Sequence, residues 1–166
     1  MKVFANFRLA TRLCLVALVA TVGAASAQAQ DEGKLDLNGK PNFGEVRLKS
    51  GFEPDPFTKG LTAGGNLKVT VKNVSGNMTK NPDVRLFFEA NLNLPLTIYA
   101  KSKTDTVLIV NLPDGTWMAN DDSDGLDPVI NIPNPKSGRY EIWVGTFVAA
   151  EATAPATLYI SEIYKK

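Results

Sequence analysis

From residue 67 the chain alternates apolar and polar positions with a period of two. Leu67, Val69 and Val71 fall on one face, Lys68, Thr70 and Lys72 on the other. Successive side chains of a strand point to opposite sides, so this pattern predicts a strand with one face in a core and one in water. An apolar, β-branched run marks 106–111, and the same alternation marks residues 45–49, 84–89, 94–99, 128–132, 139–147 and 156–164. In the last but one of these, Tyr140, Ile142 and Val144 share a face and Trp143 points the opposite way. Between the strands lie clusters that favour turns, such as Asn73 to Pro82 and Pro133-Asn134-Pro135-Lys136-Ser137-Gly138. Pro54 and Pro56 exclude helix and central strand there, and Phe52 and Phe57 beside them are expected to pin that loop to the core. About eight strands separated by turns, with no sustained helical period beyond the first thirty residues, predict an all-β sandwich or barrel.

The first residues read as a leader. Lys2, Arg8 and Arg12 precede an apolar run at 13–23, which is shorter than the ~20 residues a membrane span needs. Ala25-Ser26-Ala27 then offers a small-residue cleavage site. The expected organisation is a signal peptide at 1–27, a flexible lead-in at 28–41 and one domain at 42–166, with no stable membrane anchor after cleavage. The expected destination is periplasmic or extracellular.

Composition narrows the chemistry. The chain has no histidine, and its one cysteine, Cys14, lies in the leader. Ser-His-Asp and Cys-His nucleophiles, His-ligated metals and disulfides are therefore not expected. The exported part would keep fifteen of the eighteen basic residues against seventeen acidic ones, a net of about −2. Such a balance gives no basic surface for nucleic acid. Carboxylates, hydroxyls and amides remain, the donor set that suits hard cations such as calcium.

Those donors concentrate in one stretch, 111–131, which holds Asp114, Asp121, Asp122, Asp124 and Asp127. Asn120, Asp122, Asp124 and Gly125 stand at positions one, three, five and six of a D-x-[DN]-x-[DN]-G calcium loop, and the Leu126 carbonyl would be the next ligand. At position twelve, however, Asn131 replaces the bidentate Glu, and a strand follows where an EF-hand has a helix. A site would have to be completed by Asp127, Asp114, Asp121 or water. The alternative is a solvated turn, because Asp and Asn side chains bond nearby backbone N–H groups.

An ordered set of short motifs runs through residues 86–144. It comprises Asp105-Thr106-x-Leu108-x-Val110, Pro113-Asp114-Gly115, Ala119-Asn120-Asp121-Asp122, Gly125-x-Asp127 and Gly138-Arg139-Tyr140-x-Ile142-x-Val144. This order resembles the bacterial pre-peptidase C-terminal domain. The resemblance implies a jelly-roll-like antiparallel β-sandwich, usually appended to secreted peptidases and other extracellular enzymes. It implies a non-catalytic module, in some members calcium-binding or adhesive to insoluble substrate. Here the module would be nearly all of the exported protein.

The function expected on this footing is a non-enzymatic binding or accessory module with a protein or polymer surface as partner. Two alternatives stand beside it: an accessory partner or inhibitor of a secreted peptidase, and a hydrolase working through a carboxylate pair. The hydrolase requires acids about 5–9.5 Å apart across a cleft, whereas Asp121, Asp122 and Asp124 share one loop. Trp117 and Trp143 could stack on sugars if exposed; packing of the second sheet face is the competing expectation.

Overall fold

The computed structural model describes residues 34–147 and 153–165. The leader and its cleavage site lie outside the described residues. Within them the chain forms eleven strands: β1 (Glu45–Lys49), β2 (Phe57–Gly64), β3 (Leu67–Val71), β4 (Val74–Met78), β5 (Val84–Glu89), β6 (Leu96–Ser102), β7 (Thr106–Asn111), β8 (Trp117–Asn120), β9 (Val129–Ile132), β10 (Gly138–Thr146) and β11 (Thr153–Ser161). Among the described residues no helix is long and apolar enough to cross a membrane.

Two sheets face each other. One has the order β2-β11-β6-β9; the other runs β1-β5-β10-β4-β3, with β7 on the opposite edge of β10 and β8 beyond it. Alternation puts Leu86, Phe88, Leu108, Val110, Ile142 and Val144 of the large sheet against Leu96, Ile98, Leu158 and Ile160 of the small one. This is the sandwich core. The sheets are not wholly antiparallel, because β1 lies parallel to β5, Glu45 opposite Arg85 through Lys49 opposite Glu89.

A second, smaller core lies on the other side of the large sheet. There the β3–β4 hairpin brings Val69, Val71 and Met78 to Val107, Ile109 and Trp143. The approach is close: a Cβ on Gly76 would sit 2.9 Å from the Val107 side chain, and one on Gly145 would sit 2.8 Å from the Asn77 carbonyl oxygen. Trp143 is fully buried in this core, with Trp117 packed 5.7 Å from it, ring to ring. Both tryptophans therefore serve packing, and the exposed sugar platform does not arise at Trp143.

One edge of β10 is shared by two strands. β5 pairs with it from Gly138 to Ile142, and β4 meets it at Thr146. The Asp83 carboxylate fills the interruption, its Oδ2 accepting the Val144 N–H at 2.8 Å while Oδ1 accepts Asn42 Nδ2 at 3.1 Å. Burial raises its pKa to about 6, against the lowering effect of these hydrogen bonds.

Residues 34–41 lie against the large sheet. Leu35 is buried in the second core, the Asp36 N–H donates to the Lys80 carbonyl, and Arg85 Nη2 donates at 3.0 Å to the carbonyls of both Leu37 and Gly39. Leu35 and the partly buried Leu37 are the apolar residues of this segment that the second core takes up.

Candidate functional site

The acidic stretch is split by strand pairing into two ends of one hairpin and a second, smaller hairpin. β7 and β8 pair from Leu108 opposite Asn120 to Asn111 opposite Trp117. Asp114 lies in the turn that joins them, beyond Asn111, while Asp121 and Asp122 leave β8 at the other end. Three residues of strand, ~10 Å, separate these ends. Asp114 is engaged locally: its Oδ1 accepts the Thr116 N–H at 3.0 Å and its Oδ2 accepts Lys136 Nζ at 2.8 Å. The lysine, then the Thr116 N–H, hold its carboxyl well below the usual carboxylate range.

The Asp124–Asp127 segment closes as a tight two-residue turn. The Asp124 N–H donates to the Asp127 carbonyl at 3.1 Å and the Asp127 N–H returns to the Asp124 carbonyl at 3.2 Å. Gly125, at φ +67°, supplies the left-handed backbone this reversal needs, and Leu126 projects at its tip, 58% exposed. The side chains then diverge. Asp127 Oδ1 accepts the Ser102 N–H at 3.2 Å, tying the turn to β6. Asp124 Oδ2 lies 3.7 Å from Lys101 Nζ. Asn120 Oδ1 accepts the Val129 N–H at 2.8 Å, joining β8 to β9.

The positions that the calcium-loop spacing singles out are thus not gathered round one point. Among the described residues no three His, Cys, Asp or Glu side chains converge into a group that could hold a metal. Asp121 and Asp122 instead neighbour Asp105, which the sequence reading left out of the candidate set. Burial, then the charges of Asp122 and Asp121, raise the Asp105 pKa, and its Oδ1 is shielded from solvent without a hydrogen-bond partner. Asp105 stands one residue before β7; only the antiparallel β7–β8 pairing reveals that it meets residues sixteen positions later.

The small turn stands between two hollows on the outer face of the four-stranded sheet. One, of about 610 Å³, is lined by Asp127 with Lys101, Thr104, Pro155 and Thr157. The other, of about 330 Å³, is lined by Asp124 with Tyr99, Lys101, Ile163 and Tyr164. Lys101 belongs to both. The smaller one is floored by Tyr99 and Tyr164: Tyr99 on β6 faces Tyr159 on β11 in direct register and stacks on it at 4.7 Å and 5°, and Tyr164 leans on Tyr99 at 4.8 Å. Burial, with Tyr159, Tyr164 and Asp55 adding to it, raises the Tyr99 pKa. Ile163, 64% exposed, borders the smaller hollow.

Fold and site together define an all-β sandwich bearing a shallow, tyrosine-floored surface site rather than an enclosed cleft. No family model matches the chain, and no curated protein matches it. Among solved structures it is similar to a periplasmic lysozyme inhibitor of g-type lysozyme, PliG of Aeromonas hydrophila, at 13% identity. That alignment covers 70% of this chain and 96% of the inhibitor, with a TM-score of 0.38.

Proposed function

We propose that the chain is an exported, non-catalytic binding module that docks another protein, as accessory partner or inhibitor of a secreted enzyme, through the outer face of its four-stranded sheet. The observation that carries this reading is the tyrosine cluster of Tyr99, Tyr159 and Tyr164, bordered by the exposed Ile163 and by Asp124, whose turn carries the exposed Leu126 at its tip. Rigid aromatics with an apolar flank and a few mixed charges, here Lys101 and Asp124, are the composition of a protein-recognition surface. The kinship with pre-peptidase C-terminal domains is part of the proposal. It is supported by the way β7, the Pro113-Asp114-Gly115 turn, β8 and β10 assemble that family's motifs, in order, within one sheet.

The test is direct binding and inhibition against a panel of secreted peptidases and g-type lysozyme. Leu126→Asp and Ile163→Asp are each expected to weaken capture at least ~10-fold, since a buried charge at a recognition centre costs several kcal/mol. Both side chains are exposed, so Tm should hold. Attachment to an insoluble polymer that both variants leave intact, with no protein bound, would overturn the reading.

Calcium enters this proposal as a loosely held counterion of the acidic end of the β7–β8 hairpin, Asp105 with Asp121 and Asp122, and not as an ion in a formed cage. Like charges there oppose folding, and a divalent cation would relieve them while drawing most of its six to eight oxygens from water. Millimolar calcium is expected to raise Tm by a few degrees, and Asp105→Asn with Asp122→Asn to raise the metal-free Tm and remove the calcium response. An identical Tm with calcium and with chelator would sink the ion.

A further inference from the structure

The outer face of the large sheet carries three strands side by side, β1, β5 and β10, whose outward residues fall into cross-strand rows. Glu45, Arg85 and Glu141 form one row, and Lys49 and Glu89 another. The second is neutral, with Lys49 Nζ 3.0 Å from Glu89 Oε1, and the first sets two carboxylates about one guanidinium, Arg85 Nε lying 2.6 Å from Glu141 Oε1. The row between them holds no carboxylate. It reads Arg47, Phe87, Arg139: Arg47 opposite Phe87, and Phe87 opposite Arg139.

Arg47 lies over the Phe87 ring at 4.2 Å from its centroid, and among the described residues it makes no ion pair. A guanidinium stacked by its face keeps its N–H edge available, the edge that pairs bidentately with a carboxylate. Arg139, 43% exposed, touches Glu141 through Nε at 3.1 Å, which leaves its terminal nitrogens. A hollow of about 530 Å³ lies over the row, bordered by Glu89 and Gly138.

We infer that the Arg47–Phe87–Arg139 row is a second recognition site, on the face opposite the tyrosines, which takes a discrete carboxylate from an acidic segment of a partner protein. Its charges and neighbours favour that ligand over others. Arg47 is without an anion among the described residues and Arg139 meets Glu141 through Nε alone, so the N–H groups left over favour an anionic occupant, and the ring favours a group with some apolar body. The neighbouring rows hold Glu45, Glu141 and Glu89, two residues away along each strand, or ~7 Å. A continuous polyanion laid across this face would meet them; one or two carboxylates carried on a protein would not. The simpler role for Arg47, as a charge guarding the edge strand β1 against stray pairing, requires no binding and separates cleanly in the test.

The probe is the peptide acetyl-Gly-Glu-Gly-Glu-Gly-amide, titrated into the purified chain at low salt and followed by backbone amide NMR shifts. Saturable shifts at Arg47, Phe87 and Arg139 are expected, weakened roughly 10-fold by Arg47→Gln and by Arg139→Gln, the scale of a lost bidentate contact. Arg47→Lys should recover only part of the affinity, and Lys68→Gln on β3 should leave it unchanged. Thermal melts of each variant confirm that all are folded. Absence of saturable shifts overturns the site, as does an equal loss in Lys68→Gln, which would mean general charge attraction. Polygalacturonate or inorganic phosphate binding there as well as the peptide, or in its place, also overturns the assignment to a protein carboxylate.

Discussion

Arg85→Ala is expected to destabilise the chain by about 3–5 kcal/mol, the usual cost of leaving a buried charge without its partner. Glu141 is 1% exposed, and Arg85, itself 11% exposed at the side chain, donates Nε to its Oε1 at 2.6 Å. Burial pushes the Glu141 pKa up while Arg85 first, then Arg139, pull it down; removing Arg85 leaves burial opposed only by the partly exposed Arg139. Arg85 also ties down the lead-in through the Leu37 and Gly39 carbonyls, so the same substitution releases residues 34–41 from the sheet. A fall in Tm of roughly 10–20 °C corresponds to this loss in a domain of this size. Arg85→Lys should recover little, because an ammonium cannot reproduce the guanidinium fork that reaches a carboxylate and two carbonyls together. The double change Arg85→Met with Glu141→Leu should return to within about 2 kcal/mol of the parent, since apolar residues replace buried pairs at low cost. Urea titration of the three variants measures this. A loss under about 1 kcal/mol for Arg85→Ala would show that Glu141 is solvated or sufficiently held by Arg139.

Seven of the eleven strands announce themselves by alternation and β7 by its apolar, β-branched run, and the reasons the other three do not are local. β4 reads Val74-Ser75-Gly76-Asn77-Met78, a composition of turns. It is a strand because Lys72 and Asn73, both at positive φ, reverse the chain onto β3, and because Gly76 lets the hairpin lie against Val107. β2 carries Gly60 and three polar positions and is set by pairing with β11 from Phe57 to Gly64. β8 sits inside the acidic stretch, where spacing argued for a metal loop. Periodicity reports burial of one face; strands made by pairing alone leave little trace of it.

The candidate site was legible in part for a related reason. Spacing along the chain identified the acidic stretch, and it does border the surface site, but which carboxylates meet is decided by register. Asp114 and Asp121 are seven residues apart in sequence and at opposite ends of a hairpin, while Asp105 and Asp121 are sixteen apart and neighbours. The tyrosine floor is less conspicuous in the sequence than the tryptophans, because Tyr99 and Tyr159 lie sixty residues apart on β6 and β11 and only sheet pairing joins them. A signal existed: in Thr97-Ile98-Tyr99-Ala100-Lys101 and Thr157-Leu158-Tyr159-Ile160-Ser161 the tyrosine falls on the face that alternation assigns to water. An aromatic on the polar face of a strand has area to cover, either by a neighbour or by a ligand.

Asp83 is expected to make the chain more stable in mild acid than at neutrality, contrary to the behaviour of proteins held by surface carboxylates. Its carboxyl is buried at the break between β5 and β4 and keeps its proton up to a pH of about 6 in the folded chain, against 3.8 ordinarily. Between those values the folded state binds more protons than the unfolded one, so stability rises as pH falls from about 7 to about 4. The difference corresponds to about 3 kcal/mol. Glu141 and Asp105, both raised by burial first, act in the same direction. Below pH ~4 the trend reverses, because Asp114, held low by Lys136, then loses its charge in the unfolded chain first and its contribution fades as the folded carboxyl takes up its own proton. Asp83→Asn isolates the cause. The amide oxygen still accepts the Val144 N–H and nothing titrates, so the variant should change by no more than about 1 kcal/mol between pH 4.5 and 7 while the parent loses about 2–3 kcal/mol. At pH 7 the variant should therefore be the more stable of the two. Parallel pH profiles for the two proteins would mean that water reaches the β5–β4 break and that Asp83 is ionised there without penalty.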